Sequence, residues 1–276
     1  MPVATPRVHR ERPFSTEANP RYFYRAPQYD RVVQHVFSTV LDKLGLALVS
    51  GPVGSGKSTL FRYMVGQLED ELVDHLRLGI LYNPNYTTDF GFLKAICREF
   101  GVVVNKARFS EVLEDFKSYL VDEADAGHTV VLLIDEAHKL TGGQLEMVRE
   151  FFNFSRDDAF LLQVVLAGET KPLRKKLSYK PAVASRAAYI DTLEPLGLEA
   201  IGELVRFRLR TAGLSDAVFA PEALEVLLAA SQGIPRTAVH LCRLTLDAYG
   251  DAVDTVTGAM MQAVVAVNPG IVSRNV

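Results

Sequence analysis

A run of glycine, lysine and hydroxyl residues at Ser50–Thr59 has the spacing of a phosphate-binding loop. It reads Ser-Gly-Pro-Val-Gly-Ser-Gly-Lys-Ser-Thr and matches the pattern G-x-x-x-x-G-K-[ST]. Because glycine has no Cβ, the backbone can curl there and turn N–H groups toward an anion. Lys57 is expected to reach the β and γ phosphates of ATP, and the Ser58 hydroxyl to bind Mg²⁺. The residues predicted to bind the nucleotide are Gly51, Pro52, Val53, Gly54, Ser55, Gly56, Lys57, Ser58 and Thr59.

Two carboxylates follow an apolar run of strand length later in the chain. Residues 129–134 read Thr-Val-Val-Leu-Leu-Ile, and Asp135 and Glu136 come directly after them. Such a run is typical of a central parallel strand, and open α/β sheets bind ligands at the carboxyl ends of their strands. Asp135 is therefore expected to hold the water shell of Mg²⁺, and Glu136 to polarise the water that attacks the γ-phosphate. An Asp-Glu pair alone is often a solvated turn, but beside a phosphate-binding loop it predicts ATP hydrolysis.

The elements that must position these residues alternate between strand and helix. The predicted strands are Leu46–Val49, Leu78–Tyr82, Thr129–Ile134, Leu161–Ala167 and Ala187–Ile190, and the predicted helices cover 29–44, 88–100, 109–126 and 144–152. This alternation predicts a parallel sheet with helices on both faces. After Pro195 the pattern becomes wholly helical, over 197–212, 221–231, 235–249 and 255–266. The fold class expected is an α/β P-loop NTPase with a parallel sheet, followed by a small all-helical lid domain.

The beginning of the chain differs from both of these parts. Residues 1–30 are rich in proline, arginine and aromatic side chains and are expected to form an extended arm. The aromatic residues could be tucked onto the body of the protein, or they could pack near the adenine or on a neighbouring subunit. The domains predicted are the arm at 1–30, an α/β nucleotide-binding domain at 31–194 and a helical lid at 195–276.

Composition restricts the compartment and the partners. The chain has 276 residues and a net charge of −3, so any nucleic-acid surface must be local. Its two cysteines, Cys97 and Cys242, are predicted to be buried free thiols. We find neither an apolar run of about 18 residues, which a transmembrane helix requires, nor the apolar core of a signal peptide. A cytoplasmic location is expected.

The order of these parts resembles an AAA+ ATPase, and more narrowly the ExeA/GspA type. The motifs that carry the resemblance are Pro13-Phe-Ser15, Pro20-Arg-Tyr-Phe-Tyr24, the phosphate-binding loop, Leu133-Ile-Asp-Glu-Ala-His138, Val164-Val-Leu-Ala-Gly168, Glu194-Pro-Leu196 and Ser231-Gln-Gly-Ile-Pro-Arg236. Together they cover nearly the whole chain. Long secretion members of the family carry a membrane helix and a cell-wall-binding domain. Short soluble members are similar to ATPases encoded beside transposases and to regulators of the TnsC and IstB type.

The resemblance assigns further roles. Arg186 matches the arginine finger, a catalytic residue that acts across a subunit interface, which implies a homo-oligomer in the form of a ring or a filament. Arg236 matches the nucleotide-sensing arginine of the lid. A solvent-exposed side chain is the plain alternative for both. The family usually has glutamine after the Ala-Gly of the strand, but here Glu169 and Thr170 follow, and the residue that senses the γ-phosphate stays open between them.

Two biological processes are candidates for the use of ATP hydrolysis. The first is a DNA-binding regulator of transposition that recruits a transposase, with duplex DNA held by the basic run Lys171–Lys180. That run could equally be a solvated helix face. The alternative is an ATPase for secretion or pilus assembly, with a component of that apparatus as its partner. A non-hydrolysing switch is disfavoured because Asp135 and Glu136 are both present.

Overall fold

The computed structural model describes residues 12–156, 159–249 and 253–272. These residues fall into two compact units. The α/β unit consists of Arg25–Pro52 and Lys57–Glu194, and the helical unit consists of residues 12–24, Val53–Gly56 and the chain from Pro195 onward.

A parallel five-stranded sheet is the framework of the α/β unit. The strands in chain order are β1 (Leu46–Gly51), β2 (Leu76–Leu81), β3 (Thr129–Ile134), β4 (Ser155–Arg156), β5 (Ala159–Phe160), β6 (Leu162–Glu169) and β7 (Ala187–Thr192). The sheet has the order β2-β3-β6-β1-β7, and β4 and β5 form a separate antiparallel ribbon. β1 and β3 are buried along their whole length, as expected for strands covered on both faces. The predicted α/β P-loop NTPase fold with a parallel sheet is confirmed.

The register of the sheet brings three strand ends to one edge. Gly51 at the end of β1 lies beside Glu169 at the end of β6, and Ile134 at the end of β3 lies beside Leu166 of β6. Asp135 continues the edge, because its N–H donates to the carbonyl of Leu81 at the end of β2. The polar residues that follow β1, β3 and β6 therefore share the carboxyl edge of the sheet, where ligands bind in open α/β folds.

The helices of this unit are α1 (Pro27–Leu41), α2 (Lys57–Leu72), α3 (Asp89–Glu99), α4 (Phe109–Asp125), α5 (Gly142–Phe151), α6 (Thr170–Ser178) and α7 (Pro181–Ala184). Local chemistry fixes several of their ends. Thr141 and Gln144 form a reciprocal capping box at the start of α5. Aromatic packing then joins α4 to α5, since the rings of Phe116 and Phe151 are 5.4 Å apart and both side chains are fully buried.

The helical unit contains α8 (Leu198–Thr211), α9 (Pro221–Ser231), α10 (Pro235–Tyr249), α11 (Gly258–Val267) and α12 (Pro269–Val272). α9 and α10 begin with proline, whose fixed φ suits the first turn of a helix. α11 begins three residues later than the sequence pattern predicted, because the Thr257 hydroxyl accepts the N–H of Met260 and caps the helix. Buried faces of α9, α10 and α11 form the core, with Leu227, Leu241 and Met261 fully enclosed.

The predicted extended arm packs onto the helical unit where the structure describes it. Phe14 is buried edge-to-face against Phe219, with the ring centroids 5.9 Å apart. Arg208 of α8 donates from Nη1 to the carbonyls of Pro13 at 2.9 Å and Ser15 at 3.1 Å. Burial lowers the pKa of Arg208 to about 10. The aromatic side chain of Phe14 is thus tucked onto the body of the protein, which was one of the two alternatives.

The end of the arm also differs from the expectation. Pro20–Tyr22 form a 3-10 turn rather than extended chain. Helix α1 starts at Pro27, four residues before the predicted domain boundary at 31, because proline is favourable at the first position of a helix. Residues 1–11, which carry part of the predicted arm, lie outside the described residues.

Within the described ranges, each helix is too short or too polar to cross a membrane. Cys97 and Cys242 are both buried and free, as the sequence indicated.

Candidate active site

The phosphate-binding loop joins β1 to α2, and two of its glycines adopt backbone angles that other residues avoid. Gly54 has a φ of 79° and Gly56 a φ of 92°. A side chain at either position would be strained in this left-handed region, so the curl of the loop depends on them. Gly51 has a different role: it is the last residue of β1 and keeps the regular register of the sheet. The curl expected for the loop therefore requires glycine at positions 54 and 56, where φ is positive.

Lys57 lies at the first position of α2, with its ammonium turned along the loop. The side chain is buried, and Nζ donates to the carbonyls of Gly51 and Pro52, both at 2.8 Å. A buried charge is tolerated when it is hydrogen-bonded, and these two carbonyls meet that need. The ammonium is therefore held at the mouth of the loop, where it can bind the phosphates of a nucleotide.

Ser58 and Asp135, the two predicted metal ligands, are brought into direct contact. Ser58 Oγ donates to Asp135 Oδ2 at 2.7 Å, and Asp135 Oδ1 accepts the N–H of Glu136 at 2.8 Å. Asp135 is 3% exposed. A hydroxyl and a carboxylate oxygen side by side are hard oxygen ligands of the kind that Mg²⁺ prefers. The two oxygens fit an Mg²⁺ ion bound between the loop and β3.

Glu136, the predicted base, has an unusual backbone conformation and lies beside the side chains of a lysine and a histidine. Its φ of 56° and ψ of 31° lie in the left-handed region, which is rare for a residue with a side chain and recurs at functional sites. Carboxylate oxygen Oε2 is 3.3 Å from Lys139 Nζ and 3.6 Å from His138 Nε2. Lys139 Nζ also donates to Asn83 Oδ1 at 2.9 Å.

The sequence analysis did not identify Lys139 and His138 as residues of this site. It placed His138 only at the end of a family motif and did not consider Lys139. A usable signal exists: both residues lie within one helical turn after the carboxylate, in the 3-10 turn Ala137–Lys139, close enough to fold back onto it.

The end of β6 presents Glu169 and Thr170, between which the sensing role was left open. The Glu169 N–H donates to His138 Nδ1 at 3.2 Å, and Glu169 Oε1 is 3.7 Å from His138 Nε2. Thr170 Oγ1 is shielded from solvent and has no hydrogen-bond partner among the described residues. The Glu169 carboxylate is therefore the group that lies against the other site residues.

The two arginines assigned by resemblance lie in different units. Arg186 is exposed between α7 and β7, and makes no ion pair with the part of the chain that the structure describes. Arg236 is the second residue of α10, and its side chain is also exposed. Its N–H donates to the carbonyl of Gly54 at 3.1 Å, within the same compact unit. The structure thus places Arg236 at the tip of the phosphate-binding loop, and the roles of both arginines stay predictions.

The basic run Lys171–Lys180 is split between the surface and the interior. Lys176 donates from Nζ to the Leu140 carbonyl, and burial lowers its pKa. Lys180 Nζ is 3.8 Å from Glu146 Oε2. The cations left exposed on α6 are Lys171, Arg174 and Lys175. The run as a whole is therefore not a single phosphate-tracking surface.

The parallel sheet, the glycine loop leading into α2 and the carboxylates after β3 are the fold and the site of a P-loop ATPase. A family model described as an AAA domain matches residues 42–177, which include the loop and both carboxylates. The chain is an ATP-hydrolysing P-loop ATPase, as the motifs predicted.

The more specific likeness is to a secretion protein. The chain is 34% identical over 236 residues to the general secretion pathway protein A of Aeromonas hydrophila. The match covers 84% of this chain and 42% of that protein, so the chain spans less than half the length of the relative.

Solved structures agree with the fold. The ORC2 protein of Aeropyrum pernix has a TM-score of 0.70 at 17% identity, with 94% of this chain and 72% of that chain covered. Drosophila ORC bound to DNA has a TM-score of 0.66 at 18% identity, with 97% and 69% covered. At these identities the likeness concerns the fold alone.

Proposed function

We propose that this AAA+ ATPase serves a secretion or pilus-assembly apparatus. The observation that carries the proposal is the 34% identity to general secretion pathway protein A over 84% of the chain. This likeness favours the secretion alternative over transposition, for which neither that relative nor the AAA domain model gives support. Because the chain spans 42% of that relative, its partners and its place in an apparatus are part of the proposal.

The proposed chemistry assigns one task to each group in the site. Backbone N–H groups of the loop and the Lys57 ammonium bind the phosphates of ATP. Ser58 and Asp135 hold Mg²⁺, which supplies charge neutralisation on the phosphate oxygens when bound. Glu136 accepts a proton from the attacking water. Support comes from the 2.7 Å contact between Ser58 and Asp135 and from the buried, carbonyl-bound Lys57.

The proposed working form is a homo-oligomer, a ring or a filament, in which Arg186 completes the site of a neighbouring subunit. Its exposure and its lack of an ion pair within the described residues leave the guanidinium available to an outside phosphate. A guanidinium is always charged and binds phosphate oxygens in a fork, which suits this task. Arg236 is proposed to sense the nucleotide bound at the loop that its backbone contacts.

Duplex DNA, with a transposase as second partner, is a second candidate because α6 exposes Lys171, Arg174 and Lys175 on one short helix. Phosphate contacts from such cations bind DNA without reading its sequence. Among proteins of this fold, Drosophila ORC is described as bound to DNA.

A deletion of the gene with complementation separates the two candidates. We expect loss of a secreted or pilus product, with restoration by the wild-type gene and not by Glu136→Gln, and no change in transposition frequency. Transposition lost with secretion intact would contradict the proposal and favour the DNA-binding candidate.

A further inference from the structure

The imidazole of His138 lies between the Glu136 and Glu169 carboxylates. His138 Nε2 is 3.6 Å from Glu136 Oε2 and 3.7 Å from Glu169 Oε1, and the His138 side chain is only 13% exposed. The 3-10 turn that carries His138 packs closely on the end of β6. A Cβ added to Gly168 would lie 3.1 Å from the backbone nitrogen of His138. The contact between the turn and β6 is therefore close, and it fixes where the imidazole sits.

One hydrogen bond determines which imidazole nitrogen carries the proton. The Glu169 N–H can only donate, so His138 Nδ1, at 3.2 Å, must accept. In a neutral imidazole the proton is then on Nε2. That N–H is the imidazole group nearest the two carboxylates, with Nε2 3.6 Å from Glu136 Oε2 and 3.7 Å from Glu169 Oε1.

The same observation argues against a metal ion at this place. The ligand atoms of Glu136, His138 and Glu169 lie within 4.8 Å of one another, close enough for a metal site. A metal-binding histidine, however, offers a bare nitrogen to the metal and donates its other N–H to a carbonyl or carboxylate. His138 has the opposite arrangement, because its second nitrogen accepts a backbone N–H.

We propose that His138 is a positioning residue for ATP hydrolysis: its Nε2–H is shared by Glu136 and Glu169 and sets the direction of the Glu136 carboxylate. The proposal rests on the role of Glu136 as the base. Oε2 of Glu136 is the oxygen that contacts both His138 and Lys139, and the proposal gives Oε1 the task of accepting the proton of the attacking water. Glu169 keeps the imidazole in place from the other side.

This arrangement also accounts for a carboxylate at the end of β6. A free carboxylate close to the γ-phosphate would be repelled by it. With its Oε1 3.7 Å from His138 Nε2, the Glu169 carboxylate lies against the imidazole and does not need to face the nucleotide. Thr170 is a poor substitute, because its hydroxyl oxygen is shielded from any outside group.

A pair of amide variants tests the donor directly. In His138→Gln the amide nitrogen takes the place of Nε2, and in His138→Asn the side chain can satisfy only the Glu169 N–H. We expect His138→Asn to lower kcat about 10-fold with KM within about twofold, and His138→Gln to stay within about threefold of wild type in kcat. Thermal melting confirms that both variants are folded. Equal losses in the two variants, or no loss in either, would overturn the proposal.

A double-mutant cycle tests the Glu169 side. Glu169→Ala should lower kcat about fivefold in the wild-type background and hardly at all in His138→Asn, because residues that act through one contact are not additive. Additive losses contradict the shared contact. Inhibition of the wild type by micromolar Zn²⁺ that His138→Asn relieves would overturn the tautomer argument in favour of a metal site. Glu136→Gln is run alongside: if it hydrolyses ATP normally, the assignment of the base has failed, whereas a normal His138→Asn beside an inactive Glu136→Gln refutes the positioning role alone.

Discussion

The two halves of the site are held together in different ways. On the binding side, Lys57 and Ser58 make hydrogen bonds of 2.7–2.8 Å to loop carbonyls and to Asp135. On the hydrolysis side, Glu136 Oε2 lies 3.3 Å from Lys139 Nζ and 3.6 Å from His138 Nε2, distances longer than those of tight hydrogen bonds. The binding side is held by short hydrogen bonds, from Lys57 to loop carbonyls and from Ser58 to Asp135, and the hydrolysis side by looser contacts between side chains. Binding and turnover should therefore be separable by mutation.

The largest effect is expected from the binding side. Lys57→Ala removes the charged phosphate contact and the two bonds to loop carbonyls, and should weaken ATP binding roughly 100-fold or more. Fluorescent-nucleotide titration measures the loss. Lys139→Ala is the matched control, because it removes a lysine from the hydrolysis side; it should bind ATP like wild type and alter only turnover. If both lysine variants lose binding equally, the division into two sides is wrong.

The next effect concerns completion of the site by a second subunit. Arg186→Ala should lower kcat about 100-fold, as expected for loss of one charged group that stabilises the transition state. Its own binding side is intact, so ATP affinity should hardly change.

Mixing Arg186→Ala with Lys57→Ala protein should restore part of the activity, since a mixed interface can pair an intact loop with an intact arginine. Mixed oligomers that form and yet recover nothing at any ratio would argue against an arginine acting between subunits.

A smaller effect is expected from the three exposed cations of α6, to which no role in either side of the site is assigned. Changing Lys171, Arg174 and Lys175 together to glutamate should weaken any duplex DNA binding about 10-fold and flatten its salt dependence, because fewer counterions are released. The affinity for a labelled duplex is measured by fluorescence anisotropy over a salt series, in the presence of a non-hydrolysable ATP analogue. Lys176→Gln is the control from the same helix, and should leave DNA binding unchanged because its ammonium is turned to the Leu140 carbonyl. Unchanged DNA binding in the triple variant would show that α6 is not the surface used.

The smallest effect lies in the core. Burial raises the pKa of the Cys97 thiol to about 11, so little thiolate forms in the folded protein at pH 8. Alkylation of Cys97 should be slow in the native state and rapid in denaturant, with ATP hydrolysis unaffected. Because the pKa is raised above its ordinary value, the native state holds this proton more tightly, and stability should fall as the pH rises from about 9 toward 11. Rapid alkylation under native conditions would show that the α3 packing opens.

Much of the α/β unit could be predicted from local patterns. The apolar runs predicted β3 with its observed bounds and β1, β2, β6 and β7 to within two residues, because short apolar segments indicate strands. β1, β3 and β6 are buried almost throughout, whereas β2 and β7 are partly exposed. The ribbon of β4 and β5 was missed, since two-residue strands carry no periodicity. Helical spacing could have separated Lys176 from its exposed neighbours, because it lies three positions after buried Leu173, on the same side of α6.

The site was predictable in its residues but not in its contacts. The motifs marked Lys57, Ser58, Asp135 and Glu136 because their spacing is tied to a strand–loop–helix. The approach of His138 to Glu136 and Glu169 depends on the left-handed backbone at Glu136 and on close packing against Gly168. A local sequence pattern predicts neither of these features, because both depend on β3 and β6 ending next to each other in the sheet.

Glu136→Gln tests the separation of binding from turnover most directly. The change keeps the size of the side chain and removes its charge, so ATP affinity should stay within about threefold of wild type while single-turnover hydrolysis falls about 1000-fold. Titration of fluorescent ATP and a single-turnover assay on the same sample give both numbers. A variant that hydrolyses ATP at the wild-type rate, or one that loses ATP binding together with hydrolysis, would contradict the account.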